Sequence, residues 1–279
     1  MASRFWVGGT ATWDATAGTK WSTTSGGAGG SAIPGTADIA IFDGGSGAAV
    51  VTVASSIGGT NTISGITFTG TGNFTGTLDF ATNNPSITMS TFSGSGTGTR
   101  TINLGSGTFT ITGVNGTVWD MATITGLTFS ANSSTLLISA ALNASRSVVF
   151  GQGLTYNIVT IANTASNGFT STLSGNFTTA PIIGTLNLTA PIAISFQNAL
   201  TVTNPVAWAG TSASNLLGLV QVSSNPTVNL AGASTIAWAA ISNTTFTGSP
   251  TATNSFDLKG NSGITISGPS GGGGFVIGS

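Results

Sequence analysis

Short runs of alternating apolar and polar residues, separated by Gly, Ser and Asn, cover most of this chain. Ile102 and Leu104 alternate with polar neighbours, Gly105 interrupts the run, and Phe109 and Ile111 resume it. A period of two places one set of side chains on one face of a strand and the other set on the opposite face. Strong helix formers are rare, and no stretch has helical spacing. The sequence therefore predicts an all-β protein with very little helix.

An internal repeat organises these runs. Residues 63–70 and 241–248 are identical at six of eight positions, and a partial copy occupies residues 124–129. Extended without gaps, the first match keeps two Asp and two Asn positions in register, namely Asp79 with Asp257 and Asn83 with Asn261. The spacings between copies are near multiples of about 20 residues, a length typical of one coil in a solenoid. We interpret the four matched residues as structural turn positions.

These patterns favour a β-solenoid, or β-helix, in which stacked coils bury ladders of Ile, Leu, Val and Phe. A β-sandwich or jelly roll is the alternative, because those folds also use many short strands. Composition divides the chain into three parts: a Trp- and Gly-rich segment over residues 1–55, the repetitive solenoid over 56–268, and a Gly-rich tail over 269–279.

Charge is so scarce that it excludes several classes of function. The chain has five Lys and Arg, six Asp, and no His, Glu or Cys. A Ser-His-Asp triad is impossible without His, and thiolate metal sites are impossible without Cys. Scattered cations argue against binding to nucleic acid, and no apolar run is long enough for insertion into a membrane. We predict a non-enzymatic protein without cofactor or metal.

Paired carboxylates are the one catalytic arrangement still open, since glycosidases use them. Asp79 and Asp257 lie too far apart in a solenoid to flank one bond, and capping of a turn is the ordinary role of Asp. A calcium site around Asp38 and Asp43 is a weaker alternative, because their spacing matches no calcium-binding loop.

Aromatic residues supply the candidate contact surface. Trp6, Trp13 and Trp21 could form a docking patch, because exposed aromatics dominate binding hot spots, or they could fill the core of an N-terminal β unit. Phe275 and Ile277 follow a glycine run and could add a strand to a neighbouring subunit. Weak charge repulsion also predicts association into a homo-oligomer.

Particular segments resemble a known group of proteins. The opening WVGGTATWD, the third Trp at position 21, the Ile33-Pro34 turn and the segment ADIAIFD resemble repeat-rich virion proteins of tailed bacteriophages and bacterial surface solenoids of the autotransporter-passenger type. Residues 255–266 resemble a rung seen in phage tail and head-associated proteins. The resemblance covers residues 1–90 best and 238–268 next.

The resemblance implies a structural or adhesive protein, commonly a homotrimer in phages, and supplies no catalytic residues. The sequence begins with Met and shows no export signal, which favours assembly onto virions in the host cytoplasm over the autotransporter alternative. We expect a capsid decoration or cement protein that contacts phage capsid or tail proteins. The alternative is a tail fibre or cell-surface adhesin that binds host glycans.

Overall fold

The computed structural model describes residues 2–68, 70, 72–163, 169–174, 178–221 and 225–269. Over these residues the chain is a parallel β-solenoid, which confirms the predicted fold class and excludes the sandwich alternative. Phe275 and Ile277 lie outside the described residues, so their proposed role in a tail strand stays a prediction.

The strands follow one another closely along the chain. They are β1 (Ala2–Trp6), β2 (Ala11–Trp13), β3 (Trp21–Ser22), β4 (Asp38–Ile41), β5 (Val50–Val53), β6 (Thr62–Thr67), β7 (Thr77–Asp79), β8 (Ile87–Ser93), β9 (Arg100–Asn103), β10 (Thr108–Ile111), β11 (Gly116–Asp120), β12 (Leu127–Ser130), β13 (Thr135–Ala140), β14 (Arg146–Val149), β15 (Thr155–Asn163), β16 (Thr170–Ser174), β17 (Ile182–Thr189), β18 (Ala193–Phe196), β19 (Leu200–Val202), β20 (Ala207–Ala209), β21 (Leu217–Val220), β22 (Thr227–Leu230), β23 (Thr235–Ala237), β24 (Ala239–Ser242), β25 (Thr245–Thr247), β26 (Thr251–Thr253), β27 (Phe256–Asp257) and β28 (Thr265–Ile266). A short 3₁₀ helix, Gly44–Ser46, follows β4.

These strands stack into three walls, which the chain visits in turn in each coil. The first wall contains β1, β4, β6, β8, β11, β14, β16, β18, β21, β24 and β27. The second contains β2, β5, β7, β9 and β12, and then the starts of β15 and β17 followed by β19, β22 and β25. The third contains the starts of β6 and β8, then β10, β13, the ends of β15 and β17, β20, β23, β26 and β28.

Alternation along each strand produces the core. In β13 every second residue is buried, and the same holds in β10, so the aliphatic and aromatic members point into the solenoid. Corners between walls use residues that tolerate the left-handed backbone conformation. Gly105 turns the chain after β9 at φ +74°, and Asn84 and Asn132 occupy other corners at φ near +50°. Gly and Asn adopt this conformation at lower cost than other residues.

The solenoid narrows toward its C-terminal end. Along the third wall Trp208 aligns with Ile236, and Ile236 aligns with Ala252, so the second of these coils uses a much shorter stretch of chain than the first. Shorter coils enclose less volume, so the inward side chain decreases from Trp to Ile to Ala. All three are buried, which indicates that side-chain volume follows the length of the coil.

Two expectations about the repeat need correction. Phe92 aligns with Trp119 in the next coil, so coils in the middle of the chain are longer than the spacing of the repeat predicts. The two best repeat copies also begin on different walls, since Ile63 pairs in the third wall and Ile241 in the first. The repeat is therefore a local motif of strand, corner and strand. Its copies need not lie on the same wall of the solenoid.

The Trp-rich N-terminal segment closes one end of the solenoid. Trp6, Trp13 and Trp21 are completely buried, with ring centroids 5.1 Å apart for both Trp6–Trp21 and Trp13–Trp21, and Phe42 packs beneath them. Strand β3 pairs antiparallel with β1 and covers its outer edge. Solenoids need such caps because the last coil would otherwise expose its core.

This burial corrects the expectation that Trp6, Trp13 and Trp21 dock on a partner. Their rings are not exposed to solvent. The alternative expectation, that they fill the core, agrees with this burial. The predicted boundary near residue 55 is not a structural boundary either, because β5 pairs directly with β7 and Phe42 stacks near Phe68 at 5.7 Å. The described part of the predicted N-terminal segment forms the cap and first coils of one continuous solenoid.

We expect Trp13→Ala to lower the unfolding free energy by about 3–5 kcal/mol, because it opens a large cavity in the cap. Trp13→Phe should cost less, since it retains much of the ring and the indole N–H has no acceptor within the described residues. Urea unfolding followed by far-UV circular dichroism measures both variants. Val50→Ala, at a residue 45% exposed, is the control. Equal midpoints for Trp13→Ala and Val50→Ala would contradict the capping role.

Candidate functional site

The repeated Asp and Asn residues hold corners, as the sequence predicts. Asp79 accepts a hydrogen bond from the backbone N–H of Ala81 at 3.0 Å, and Asp257 accepts one from that of Lys259 at 2.8 Å. Asn83 and Asn261 each donate through Nδ2 to a carbonyl of the preceding coil, on Val53 and Ile241 respectively. These side chains therefore shape turns and join coils.

The other aspartates also have local partners. Asp14 pairs with Lys20 at 2.8 Å and Asp38 with Arg4 at 3.4 Å. The hydrogen bond from Lys20 holds the pKa of Asp14 below its usual value. Burial raises the pKa of Asp38, but hydrogen bonds and the nearby Arg4 outweigh it and the net shift is downward.

The last two aspartates bind neighbouring main-chain and hydroxyl groups. Asp43, fully buried, caps the 3₁₀ helix by accepting from the N–H of Gly45, and Asp120 accepts from the hydroxyls of Ser93 and Ser95. Within the described strands, no aspartate aligns with another aspartate as a ladder partner.

Two arginines are buried without a carboxylate partner among the described residues. Arg146 donates to carbonyl oxygens of three successive coils, on Gly113, Ile138 and Ala162, and to the hydroxyl of Ser171. A guanidinium has five N–H donors in a planar fork, which suits several carbonyls at one corner. Burial lowers the pKa of Arg146 to about 10, which leaves it charged at neutral pH.

Arg100 forms the equivalent link at another corner. It donates to the carbonyls of Gly94 and Gly98 in its own coil and to those of Thr123 and Thr125 in the next. Burial lowers its pKa as well. Both arginines therefore stabilise the stacking of coils and are not available to a ligand.

Sequence reasoning missed these arginines, although a signal was present. Each stands in the inward phase of an alternating run, Arg100 before Ile102 and Arg146 before Val148. An Arg that alternates in step with buried residues is predicted to be buried itself when the adjacent corner contains carbonyl groups without another donor.

A groove lies at a break in the second wall. Strand β12 pairs with β9 on one side, but no described strand pairs with its other side, and the next coil resumes at β15, which pairs onward with β17. The groove has a volume of about 390 Å³. It is lined by Phe129, Ser130, Ala131, Asn132, Thr155, Tyr156, Asn157, Ile182, Gly184 and Thr203.

Tyr156 forms the floor of this groove and connects it to the core. Its hydroxyl donates to the carbonyl of Phe150 at 2.6 Å and accepts from Nε1 of Trp119 at 3.1 Å. Its ring centroid lies 5.1 Å from that of Phe129. Burial raises the pKa of Tyr156 far above its usual value, so the phenol stays neutral in the folded chain.

The last described coils carry exposed apolar side chains. No described strand continues the walls beyond β27 and β28. Phe256 and Leu258 are 37% and 43% exposed at this end. Apolar side chains next to strand edges are typical of surfaces that contact another chain.

Removal of Arg146 tests its role as a link between coils. We expect Arg146→Ala to lower the unfolding free energy by several kcal/mol, because each buried carbonyl left without a donor costs about 1–3 kcal/mol. Arg4→Ala, which removes the ion pair with Asp38 and a hydrogen bond to Ser31, should cost less, about 1–2 kcal/mol. Denaturant midpoints compare the two, and similar small losses would contradict the linking role.

The single tyrosine predicts a fall in stability at high pH. Below a pH of about 10 the phenol is neutral in both states, but at higher pH it ionises only in the unfolded chain, which favours unfolding. Urea midpoints should therefore fall between about pH 9 and about pH 11. The fall should be smaller in Tyr156→Phe, and an identical fall in both proteins would contradict the burial of this hydroxyl.

Comparison of the chain with protein-family models, with curated proteins and with solved structures gave no match in any of the three. In the portion that the structure describes, no helix is long and apolar enough to cross a membrane. The same portion holds no group of three or more acidic residues placed to bind a metal ion. Function is therefore inferred from the fold and contacts of the chain itself.

Proposed function

We propose that this chain is a non-enzymatic structural protein that acts through protein–protein contacts, as a virion component that decorates or cements a capsid. The observation that carries the proposal is the internal use of its charged groups. Each aspartate binds a turn, a cap or a nearby side chain, and the two buried arginines bond to carbonyls and one hydroxyl. The described walls carry few charged side chains, and such surfaces suit a scaffold.

The partner surface in this proposal is the C-terminal end of the solenoid. The N-terminal aromatics are buried, whereas Phe256 and Leu258 are exposed beside the final described strands. Strand edges offer main-chain hydrogen bonds, and adjacent apolar side chains add buried area. A second copy of the chain or a capsid protein would bind here, and the homotrimer remains the expectation from the phage resemblance.

Location in a virion is supported by the resemblance of residues 1–90 and 238–268 to phage virion proteins. Quantitative gels of purified particles test it, using phage that carry this gene. A decoration protein should approach the copy number of the major capsid protein, whereas a fibre should be far less abundant. Absence of the chain from purified particles would contradict the assignment to a virion.

The contact surface has its own test. We expect the double variant Phe256→Ser, Leu258→Ser to lose self-association and particle binding, because it removes the exposed apolar side chains without touching the core. Val50→Ser, at an equally exposed apolar residue elsewhere, is the matched control. Sedimentation velocity and particle co-sedimentation measure the two activities. Unchanged behaviour of the double variant would exclude this end as the contact surface.

A second candidate function is a tail fibre or adhesin that binds host glycans. The groove in the second wall favours it, because the groove combines aromatic rings with neutral polar side chains. Copy number on the particle separates the two candidates.

A further inference from the structure

The break in the second wall leaves an aromatic ring where the other coils bury an aliphatic side chain. Phe129 aligns with Ile102, which aligns with Leu78, which aligns with Val51. These three partners are completely buried, whereas Phe129 is partly exposed. A position that is completely buried in other coils therefore packs against the core and also lines the groove in this coil.

Polar side chains without internal partners surround this ring. Within the part of the chain that the structure describes, the side chains of four groove residues make no hydrogen bond: Ser130, Asn132, Thr155 and Thr203. Asn157 contributes a further amide, which donates weakly to the carbonyl of Ser134 at 3.4 Å. Hydroxyls and amides that are free inside a concave site are available to a ligand.

The lining carries no charge at neutral pH. Its one ionisable member, Tyr156, stays neutral and directs its hydroxyl toward Phe150 and Trp119, away from the groove. An anionic or cationic ligand would lose hydration without gaining an opposite charge. A wholly apolar ligand would instead leave the surrounding hydroxyls and amides without partners.

We propose that this groove binds a neutral oligosaccharide. A sugar ring has an apolar C–H face that can pack on Phe129, and hydroxyls that can exchange hydrogen bonds with Asn132, Thr155 and Thr203. The volume of about 390 Å³ lies within the range of about 300–1,000 Å³ usual for small-ligand sites. The inference deepens the second candidate function and does not depend on where the chain is assembled.

Titration calorimetry with soluble cello-, malto- and chito-oligosaccharides tests this site. We expect at least one series to bind, and Phe129→Ala to weaken that binding about tenfold, equivalent to about 1.4 kcal/mol. Val50→Ala, at an exposed apolar residue outside the groove, should bind as the unmodified chain does.

Two further variants keep the test valid if Phe129→Ala unfolds. Asn132→Gly removes the amide and keeps the positive φ of its corner, and Thr203→Val removes a hydroxyl from an exposed residue of the same shape. Each should weaken binding without changing the circular dichroism spectrum.

Three outcomes would overturn the proposal: no binding by any series at millimolar concentration, binding that all groove variants retain, or tighter binding of an anionic oligosaccharide than of a neutral one. Particle co-sedimentation of the same variants separates this result from the virion assignment. Loss of sugar binding with normal co-sedimentation supports the groove alone, whereas absence from particles affects only the virion assignment.

Discussion

Main-chain hydrogen bonding between successive coils is the interaction on which the rest of this structure depends. Parallel ladders fix the register of each coil against the next, so the inward side chains must form continuous columns. Corner carbonyls outside the ladders still need donors in a buried setting. Arg100 and Arg146 supply them, and their charge is tolerated because each guanidinium is hydrogen-bonded on several sides.

The sequence predicts the solenoid because alternation and Gly- or Asn-rich corners are local properties. The number of residues in a coil could not be predicted from the repeat. The copies at residues 63–70 and 241–248 share a local motif, but they begin on different walls. Burial of Trp13 could not be separated from docking, because an aromatic near a chain terminus suits either role. The groove at Phe129 could not be predicted either. In the alternating pattern Phe129 occupies the same inward position as the residues aligned with it, and the break in the wall depends on how two coils fit together.

These constraints link the architecture to the proposed role. Ladders use the backbone, the core uses the apolar side chains, and corners use both buried arginines and several of the aspartates. Within the described residues, the features that could serve function are the exposed apolar side chains near Phe256 and the neutral groove at Phe129. The two proposed activities, contact with another chain and binding of an uncharged ligand, rest on these two features.

The central claim is that the cap and the following coils form one continuous ladder, interrupted only on the second wall at β12 within the described residues. Hydrogen–deuterium exchange resolved to short peptides measures it most directly. We expect similar strong protection in β4, β6 and β8, on both sides of the predicted segment boundary, and markedly faster exchange in β12 than in its partner β9. Independent, rapid exchange of the whole Trp-rich N-terminal segment, or equal protection of β12 and β9, would contradict it.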